Sequence, residues 1–386
     1  MKLTIKRQEF LRLLTFVSQA IPAKSAESQF MNFLLDCKED SLSIIASDGT
    51  ISAKIATKAK DKKGNDVIIN AEPGLIQTPA KYLLDIVSKM GGDVVTLNMV
   101  DTNYLNISDD STNFNLITKA GEEYPNVDLN VPEDNQGFKV SLGDLKKLFD
   151  TTSYAVATKG PKDLYYGINV SVRSGKLYFM TTDSYRMARM AVNEKDNDAA
   201  FSFTCPVKAL SMVTNIVTNG ECVIYFDEQR ALFVADGVTL STRLIRGDFP
   251  SIDRIIPSSF PYSVSVEKDE FLAAADRVRI ISSAEDKNSQ VKFTISRDTG
   301  VTISARSTNY GNSQEILRKA SYVLPDGEDI FEIGFNVDFA VAAVRALASE
   351  KVTFVFAAPT RMFMVKNDDP ENIQIVTPIR MNTFND

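Results

Sequence analysis

Residues 3–11 (LTIKRQEFL) alternate apolar and polar positions and then shift to helical spacing. A period of two giving way to 3.6 predicts a short strand that turns directly into an amphipathic helix. Phe10, Leu13, Leu14, Val17 and Ile21 fall on one face of that helix, with Gln8, Arg12, Thr15 and Gln19 on the other. The same pattern recurs without gaps at 140–148 (VSLGDLKKL) and 264–272 (VSVEKDEFL). A second strand-to-helix pattern follows in each case, at 78–87 (TPAKYLLDIV), 205–214 (CPVKALSMVT) and 335–344 (FNVDFAVAAV). Pro79 and Pro206 sit where a helix start tolerates proline.

A third recurring unit is an apolar strand that runs into a polar cassette and back into an apolar strand. It occupies 42–56 (LSIIASDGTISAKIA), 177–191 (LYFMTTDSYRMARMA) and 301–316 (VTISARSTNYGNSQEI). Two of the copies also carry a matching exit, GEEYPNVD at 121–128 and GDFPSIDR at 247–254. Alternating runs such as 223–245 (VIYFDEQRALFVADGVTLSTRLI) read as antiparallel hairpins. The repeat is roughly 125–135 residues, far longer than a solenoid unit, so each copy is a domain. The expected fold is α+β, with three tandem similar domains at 1–128, 129–257 and 258–386. Each has two helices packed on antiparallel sheets, and turn-rich segments at 130–137 and 257–261 mark the boundaries.

Composition narrows the chemistry. The chain has 386 residues and no histidine, which removes the usual activation of serine or cysteine nucleophiles and the commonest transition-metal ligand. Cys37, Cys205 and Cys222 are scattered and odd in number, which disfavours a disulfide framework and favours the cytoplasm. The start, MKLTIKRQEF, lacks the apolar core of a secretory signal, and no apolar stretch is long enough to span a bilayer. The net charge of −7 argues against a surface that is basic all round. It leaves room for a basic face. Residues 1–24 carry Lys2, Lys6, Arg7, Arg12 and Lys24 against Glu9 alone, and residues 139–162 carry five lysines against Asp144 and Asp150.

The polar cassette TDSYRMA (182–188) resembles an active site in miniature, yet it has a single carboxylate and no histidine. Two readings compete with a non-enzymatic one. A magnesium-dependent phosphoester hydrolase would use Asp48 and Asp183; a triplicated scaffold would never touch DNA. The repeat weighs against the first, since a catalytic site made by one copy needs no triplication, and the basic first helices weigh against the second.

The threefold repeat, TDSYRMA, GDFPSIDRIIP (247–257), EIGFN (332–336) and VTPIRM (376–381), in this order over essentially the whole chain, resemble the bacterial DNA polymerase III β subunit family, the replicative sliding clamps. The resemblance implies a DNA-clamp fold that dimerises head to tail into a closed ring around duplex DNA, with twelve helices lining the hole. It implies no catalysis, metal or cofactor. The expected partners are double-stranded DNA contacted without sequence preference, and short linear peptides of the polymerase III α subunit, the clamp loader and repair proteins.

By matching positions, the peptide pocket would be walled by Tyr165, Thr182, Tyr185, Met187, Pro250, Arg254 and Ile255. The C-terminal segment Ile375, Val376, Thr377, Pro378, Ile379, Arg380 and Met381 would complete it, and Phe339, Thr360 and Met362 would form a second, shallower subsite. Lys24, Lys159 and Lys208 match DNA-facing positions, and Arg12 and Lys81 join them from their helix faces. Phe114 and Leu116 on one side, with Ile280 and Ile281 on the other, match the dimer seam. Tyr185 stands where relatives often carry histidine, Lys162 and Ala80 replace arginines, and residues 382–386 extend past the usual end. Asp183 and Arg186 read as a pair that holds the turn, with Thr182, Tyr185 and Met187 facing a ligand.

Overall fold

A computed structural model describes residues 1–132, 137–194, 200–215, 220–252, 255–284 and 289–380. Among them, six α-helices each begin on the residue after a strand ends. These are α1 (Arg7–Ser18), α2 (Ala80–Lys89), α3 (Leu142–Thr152), α4 (Val207–Thr214), α5 (Lys268–Ser282) and α6 (Val337–Arg345). The strand-to-helix pattern read three times in two versions is therefore present six times. Pro79 and Pro206 each close the preceding strand, one position before the helix. Asn336 caps α6 by accepting from the Asp338 and Phe339 amides at 2.8 and 3.2 Å. Ser141 Oγ does the same for α3, accepting from Gly143 and Asp144.

α1 is shorter than its apolar stripe suggested. It ends at Ser18, and Ile21 lies beyond it in a turn closed by the Ile21 amide on the Ser18 carbonyl. Pro22 explains the stop, since the residue before proline is driven out of the helical region. Phe10, Leu13, Leu14 and Val17 are buried as expected, and Phe16 joins them.

The chain folds into two compact units, one built from Met1–Lys146 and Lys208–Leu244, the other from Lys147–Val207 and Ile245–Asp386. The middle sequence copy is thus divided between both. The first unit holds an antiparallel nine-stranded sheet. Its order is Lys119–Ala120, Gly74–Pro79, Asn32–Cys37, Ser41–Ser47, Ile51–Lys58, then Val238–Arg243, Arg230–Ala235, Glu221–Phe226 and Phe138–Ser141. Five strands come from the first copy and four from the second. They meet where Ile51–Lys58 pairs with Val238–Arg243, Ala53 opposite Leu240. A separate five-stranded sheet runs Ile68–Glu72, Lys2–Lys6, Val94–Met99, Tyr104–Ser108 and Asn113–Ile117. α1 packs on α2 and on the strands Ser41–Ser47 and Ile51–Lys58.

The second unit repeats the scheme. Its nine-stranded sheet runs Phe201–Pro206, Gly167–Arg173, Lys176–Thr182, Arg186–Asn193, then Ile373–Val376, Phe363–Lys366, Lys351–Phe356, Tyr262–Glu267 and Ser321–Val323. The junction between copies is Arg186–Asn193 against Ile373–Val376, with Met187 opposite Ile375. A four-stranded sheet runs Gly311–Ile316, Gly300–Ser307, Gln290–Ser296 and Ile330–Asn336. α5 and α6 pack together over a phenylalanine-rich core that includes Phe271, Phe293, Phe335, Phe354 and Phe363. A second, methionine-rich core lies under the junction: Met180, Met187, Ile252, Val355, Met364, Ile373 and Ile375.

The junction is also held by a buried polar group. Gln374 is fully buried. Its amide oxygen accepts from the Tyr154 hydroxyl at 2.6 Å, and its nitrogen donates to Asn372 Oδ1 at 2.6 Å. Enclosure of the phenol raises the Tyr154 pKa well above its ordinary value. Replacing Gln374 by leucine orphans two enclosed polar groups at about 1–3 kcal/mol each. The expected loss of stability is about 2–4 kcal/mol, read as a fall in the urea midpoint at unchanged slope. An unchanged midpoint would remove the network from the junction's energetics.

Candidate functional site

The cassette at 182–188 is a tight turn between Lys176–Thr182 and Arg186–Asn193. Asp183 Oδ1 accepts from the Tyr185 and Arg186 amides, each at 2.9 Å, while Asp183 Oδ2 takes the Arg186 Nε at 2.8 Å. The Thr182 hydroxyl donates to the Arg186 carbonyl and accepts from the Ser184 amide. Ser184 has a φ of 81°, the left-handed conformation that glycine takes at the same place in the first copy, where Gly49 has 84°. In that copy Asp48 Oδ1 accepts from Thr50 and Ile51, and in the third Ser307 Oγ accepts from Asn309 and Tyr310. Three side-chain-closed turns therefore occupy the three cassettes. Asp48 and Asp183, the two carboxylates of the hydrolase reading, are committed to turn amides and to one cation each, Lys208 and Arg186. Among the described residues no cluster of three or more acidic or cysteine side chains is placed to hold a metal ion.

What distinguishes the middle turn is its surroundings. The Arg186 guanidinium lies over the Phe339 ring at 4.8 Å and the Tyr154 ring at 5.4 Å. Tyr185, 63% exposed, stacks on Phe339 with ring centres 6.3 Å apart. The Thr377 amide and hydroxyl both donate to the Tyr185 carbonyl, at 2.9 and 2.8 Å. From there the segment bridges Pro378 to Phe335, and the Ile379 amide donates to the Gly334 carbonyl at 2.7 Å. The last described residues are thus pinned to a turn on one side and a strand on the other.

Beside this segment lies a cleft of about 1070 Å³. Of the expected pocket residues, Ile255, Thr360, Met362, Thr377, Pro378, Ile379 and Arg380 line it. Sequence reading missed the rest of its wall: Ile256–Ser259, Pro261, and the turn Ala357–Pro359 with Arg361. Those residues lie in a linker and a hairpin loop that carry no periodic signal. Phe339 lines a cavity of about 590 Å³ with Tyr154, Arg186, Arg279 and Arg345.

Ile375 and Val376 are fully buried, Thr182 and Met187 nearly so. These four belong to the packed interior and present no open surface. Tyr165 packs edge-on against Phe249, with Lys162 Nζ 5.1 Å from its ring centre, and Pro250 is half-buried nearby in sequence. Arg254 and Met381, with residues 382–386, lie outside the described residues.

The expected DNA-facing cations are all exposed, but they are not equivalent. Arg12 is held by Glu9 through two hydrogen bonds of 2.8 and 2.7 Å, which raises its pKa. Lys208 is held by Asp48 at 2.8 Å. Lys24, Lys81 and Lys159 have no ion-pair partner among the described residues. For the seam, Phe114 and Leu116 sit on Asn113–Ile117, the end strand of the five-stranded sheet, 44% exposed and half-buried respectively. Ile280 on α5 is 71% exposed, while Ile281 packs partly on the phenylalanine-rich core. Exposed apolar side chains that sequence reading passed over adjoin both edges: Tyr104 and Ile117 at one, Tyr310 and Ile316 at the other.

The three cysteines are buried and unpaired. Burial pushes the Cys37 thiol up to about 11 and that of Cys222 up to about 12, and raises Cys205 as well. Nucleophilic thiols have lowered pKa values, so these are core residues. Native protein at pH 8 should resist iodoacetamide, and all three should react in urea. Rapid native alkylation of any of them would contradict the packing. No helix among the described residues is long and apolar enough to cross a membrane.

Known proteins agree with this geometry along the whole chain. Family models of the DNA polymerase III beta subunit match in order, the N-terminal domain over residues 1–128, the central domain over 139–251 and the C-terminal domain over 253–380. The beta sliding clamp of Staphylococcus aureus is 26% identical over 387 residues, covering 98% of this chain and 99% of that protein. The solved DNA polymerase sliding clamp of Bacillus subtilis superposes with a TM-score of 0.90 at 23% identity, covering 99% of this chain and 100% of the other. A sliding clamp of Pseudomonas aeruginosa bound to griselimycin has a TM-score of 0.88 at 22% identity, with the same coverage. With all three of its domains matched in sequence and the fold matched throughout, the chain belongs to the DNA polymerase III beta subunit family.

Proposed function

We propose that this sliding clamp, a processivity factor and not an enzyme, works as a head-to-tail homodimer closed around duplex DNA. The observation that carries the reading is the pattern of strand ends. At each internal junction, the outgoing strand of one cassette pairs with a late strand of the next copy: Ile51–Lys58 with Val238–Arg243, and Arg186–Asn193 with Ile373–Val376. Each junction makes nine strands from five and four. The third cassette's outgoing strand, Gly311–Ile316, and the first copy's late strand, Asn113–Ile117, have no such partner within the chain, and each stands at one end of its sheet. They terminate a four-stranded and a five-stranded sheet. Pairing them between two chains repeats the internal junction and leaves neither strand unpaired. An exposed strand edge is otherwise an aggregation hazard. Phe114, Leu116, Ile280 and Ile281 would bury against one another at that seam.

The helices of six domains would then line the hole. Lys24, Lys81 and Lys159 would touch phosphates, which carry no sequence information. Arg12 and Lys208 would contribute less, because carboxylates already neutralise them. Few and weak phosphate contacts suit sliding, since each neutralised phosphate adds to the affinity that would pin the ring. Residence on DNA would come from topology.

The cleft beside Thr377–Arg380 would take short apolar peptides of the polymerase α subunit, the clamp loader and repair proteins in the cytoplasm. Tyr165, Tyr185, Pro250 and the cavity at Phe339 would extend that surface, with Met187 buried beneath. Its methionine-rich floor can repack around different side chains. Such a floor suits a site shared by several partners.

The test is retention after loading by the cognate loader with ATP. Protein on nicked circular DNA should stay through gel filtration and be lost once the circle is linearised. Equal retention on both forms would sink the topological mechanism.

A further inference from the structure

Among the cations assigned to the hole, Arg12 and Lys208 already hold a carboxylate, and in both pairs the carboxylate is the more enclosed partner. The Arg12 side chain is 51% exposed against 25% for Glu9, and that of Lys208 45% against 17% for Asp48. Each cation therefore faces solvent with an acid set behind it. Lys24, Lys81 and Lys159, by contrast, have no ion-pair partner among the described residues.

Both acids are fixed in place. Glu9 lies one turn before Arg12 on α1 and commits both oxygens to it, accepting from Nε at 2.8 Å and from Nη2 at 2.7 Å. Asp236, which holds Lys62, adds its charge to that of Glu9 at Arg12. Asp48 Oδ1 closes its own turn by accepting from the Thr50 and Ile51 amides, which leaves Oδ2 for Lys208 Nζ at 2.8 Å. α4 begins at Val207, so this bond ties its first turn to the first cassette.

We infer that Glu9 and Asp48 are positioning residues for sliding, which take Arg12 and Lys208 back each time a phosphate moves away. The inference rests on the proposal that Arg12 and Lys208 face duplex DNA in the closed ring, and it adds what the acids do there. Phosphates recur about every 3.4 Å along each strand, so a bare cation settles at one and must break that contact before the ring advances. An exposed ion pair is worth little net, because water and salt compete for both charges. Exchange between acid and phosphate is thus close to balanced, and the cation passes from one acceptor to the next without standing bare. The acid also repels the phosphate, which keeps each contact weak. The energy along the DNA is flatter than it would be with all of these cations bare. The unpaired lysines supply attraction, and the two pairs keep it from becoming a brake.

The experiment follows fluorescently labelled full-length protein on stretched duplex DNA after loading by the cognate loader with ATP. The variant combines Glu9→Gln with Asp48→Asn, a replacement that keeps a carbonyl oxygen for the turn amides. Its diffusion coefficient should fall about three- to tenfold in low salt, and the gap should close in about 0.5 M salt. Affinity for a short linear duplex should rise by a similar factor, with a salt slope steeper by about one to two. Misfolding cannot produce tighter binding of this kind. In an Arg12→Gln, Lys208→Gln background the same two substitutions should change neither quantity. If they act equally with and without the cations, general repulsion from DNA accounts for them and the inference is overturned. Unchanged diffusion and affinity would also overturn it, and would leave the DNA-lining assignment standing if Lys24→Gln, Lys81→Gln and Lys159→Gln together still weaken duplex binding. If no variant of either set alters duplex binding, that assignment falls and the inference with it.

Discussion

Replacing Ile280 and Ile281 together by aspartate should convert the protein to a monomer. Light scattering should report the mass of one chain at concentrations where the unaltered protein is a dimer. Ile280 is 71% exposed on α5, so the aspartate there costs the isolated fold little. In the proposed seam the same carboxylate would be desolvated against Phe114 and Leu116. Burying an unpaired charge costs several kcal/mol, and each ring would contain the change at both seams. Every 1.4 kcal/mol is about tenfold in the dimer constant, so a shift of at least about a thousandfold is expected. The same variant should be lost from nicked circular DNA, since an open chain has no topological hold. Circular dichroism and urea midpoint guard against unfolding at Ile281, which packs partly on the core. A folded variant that stays dimeric would place the interface elsewhere.

The second large effect is expected in the cleft. Met362→Asp with Ile379→Asp sets two carboxylates into the apolar wall that a peptide anchor must cover. Both positions are half-buried, so the charges stay hydrated in the free protein and become costly only when a ligand seals the cleft. Affinity for a short apolar peptide of the polymerase α subunit should fall by about a hundredfold or more, equivalent to about 2.8 kcal/mol. Dimer mass should be unchanged, because neither residue belongs to an end strand. A deletion starting at Val376 would be a poorer test. Val376 is fully buried in the phenylalanine-rich core and pairs on both sides, so its loss would unsettle the whole junction. Unchanged peptide affinity in the double variant would refute the assignment of the cleft.

The polar cassette illustrates how the two levels of reading divide. Its Asp-Arg pair was legible as a turn, because a short acceptor side chain two and three residues before free amides closes a turn locally. That Thr182 is consumed by the same turn was not legible: a hydroxyl's partner depends on the backbone path. Whether Phe339 lies beside Thr360 and Met362 has no local signal either, since the first sits on a helix and the others on a hairpin loop.

Strand and helix periodicity, the direct passage from strand to helix, the threefold repeat and the absence of histidine are all properties of neighbours along the chain. They are readable because backbone geometry imposes periods of 2 and 3.6 wherever an apolar face must be buried. Where one copy joins the next is a different kind of fact. The Tyr185 carbonyl takes its two hydrogen bonds from Thr377, 192 residues away, and nothing in either segment names the other. Pairing of strand edges is satisfied by backbone groups that every residue shares, so sequence leaves the partner open. Only the folded chain decides that two junctions are made, and which strands come to stand at the ends of the sheets.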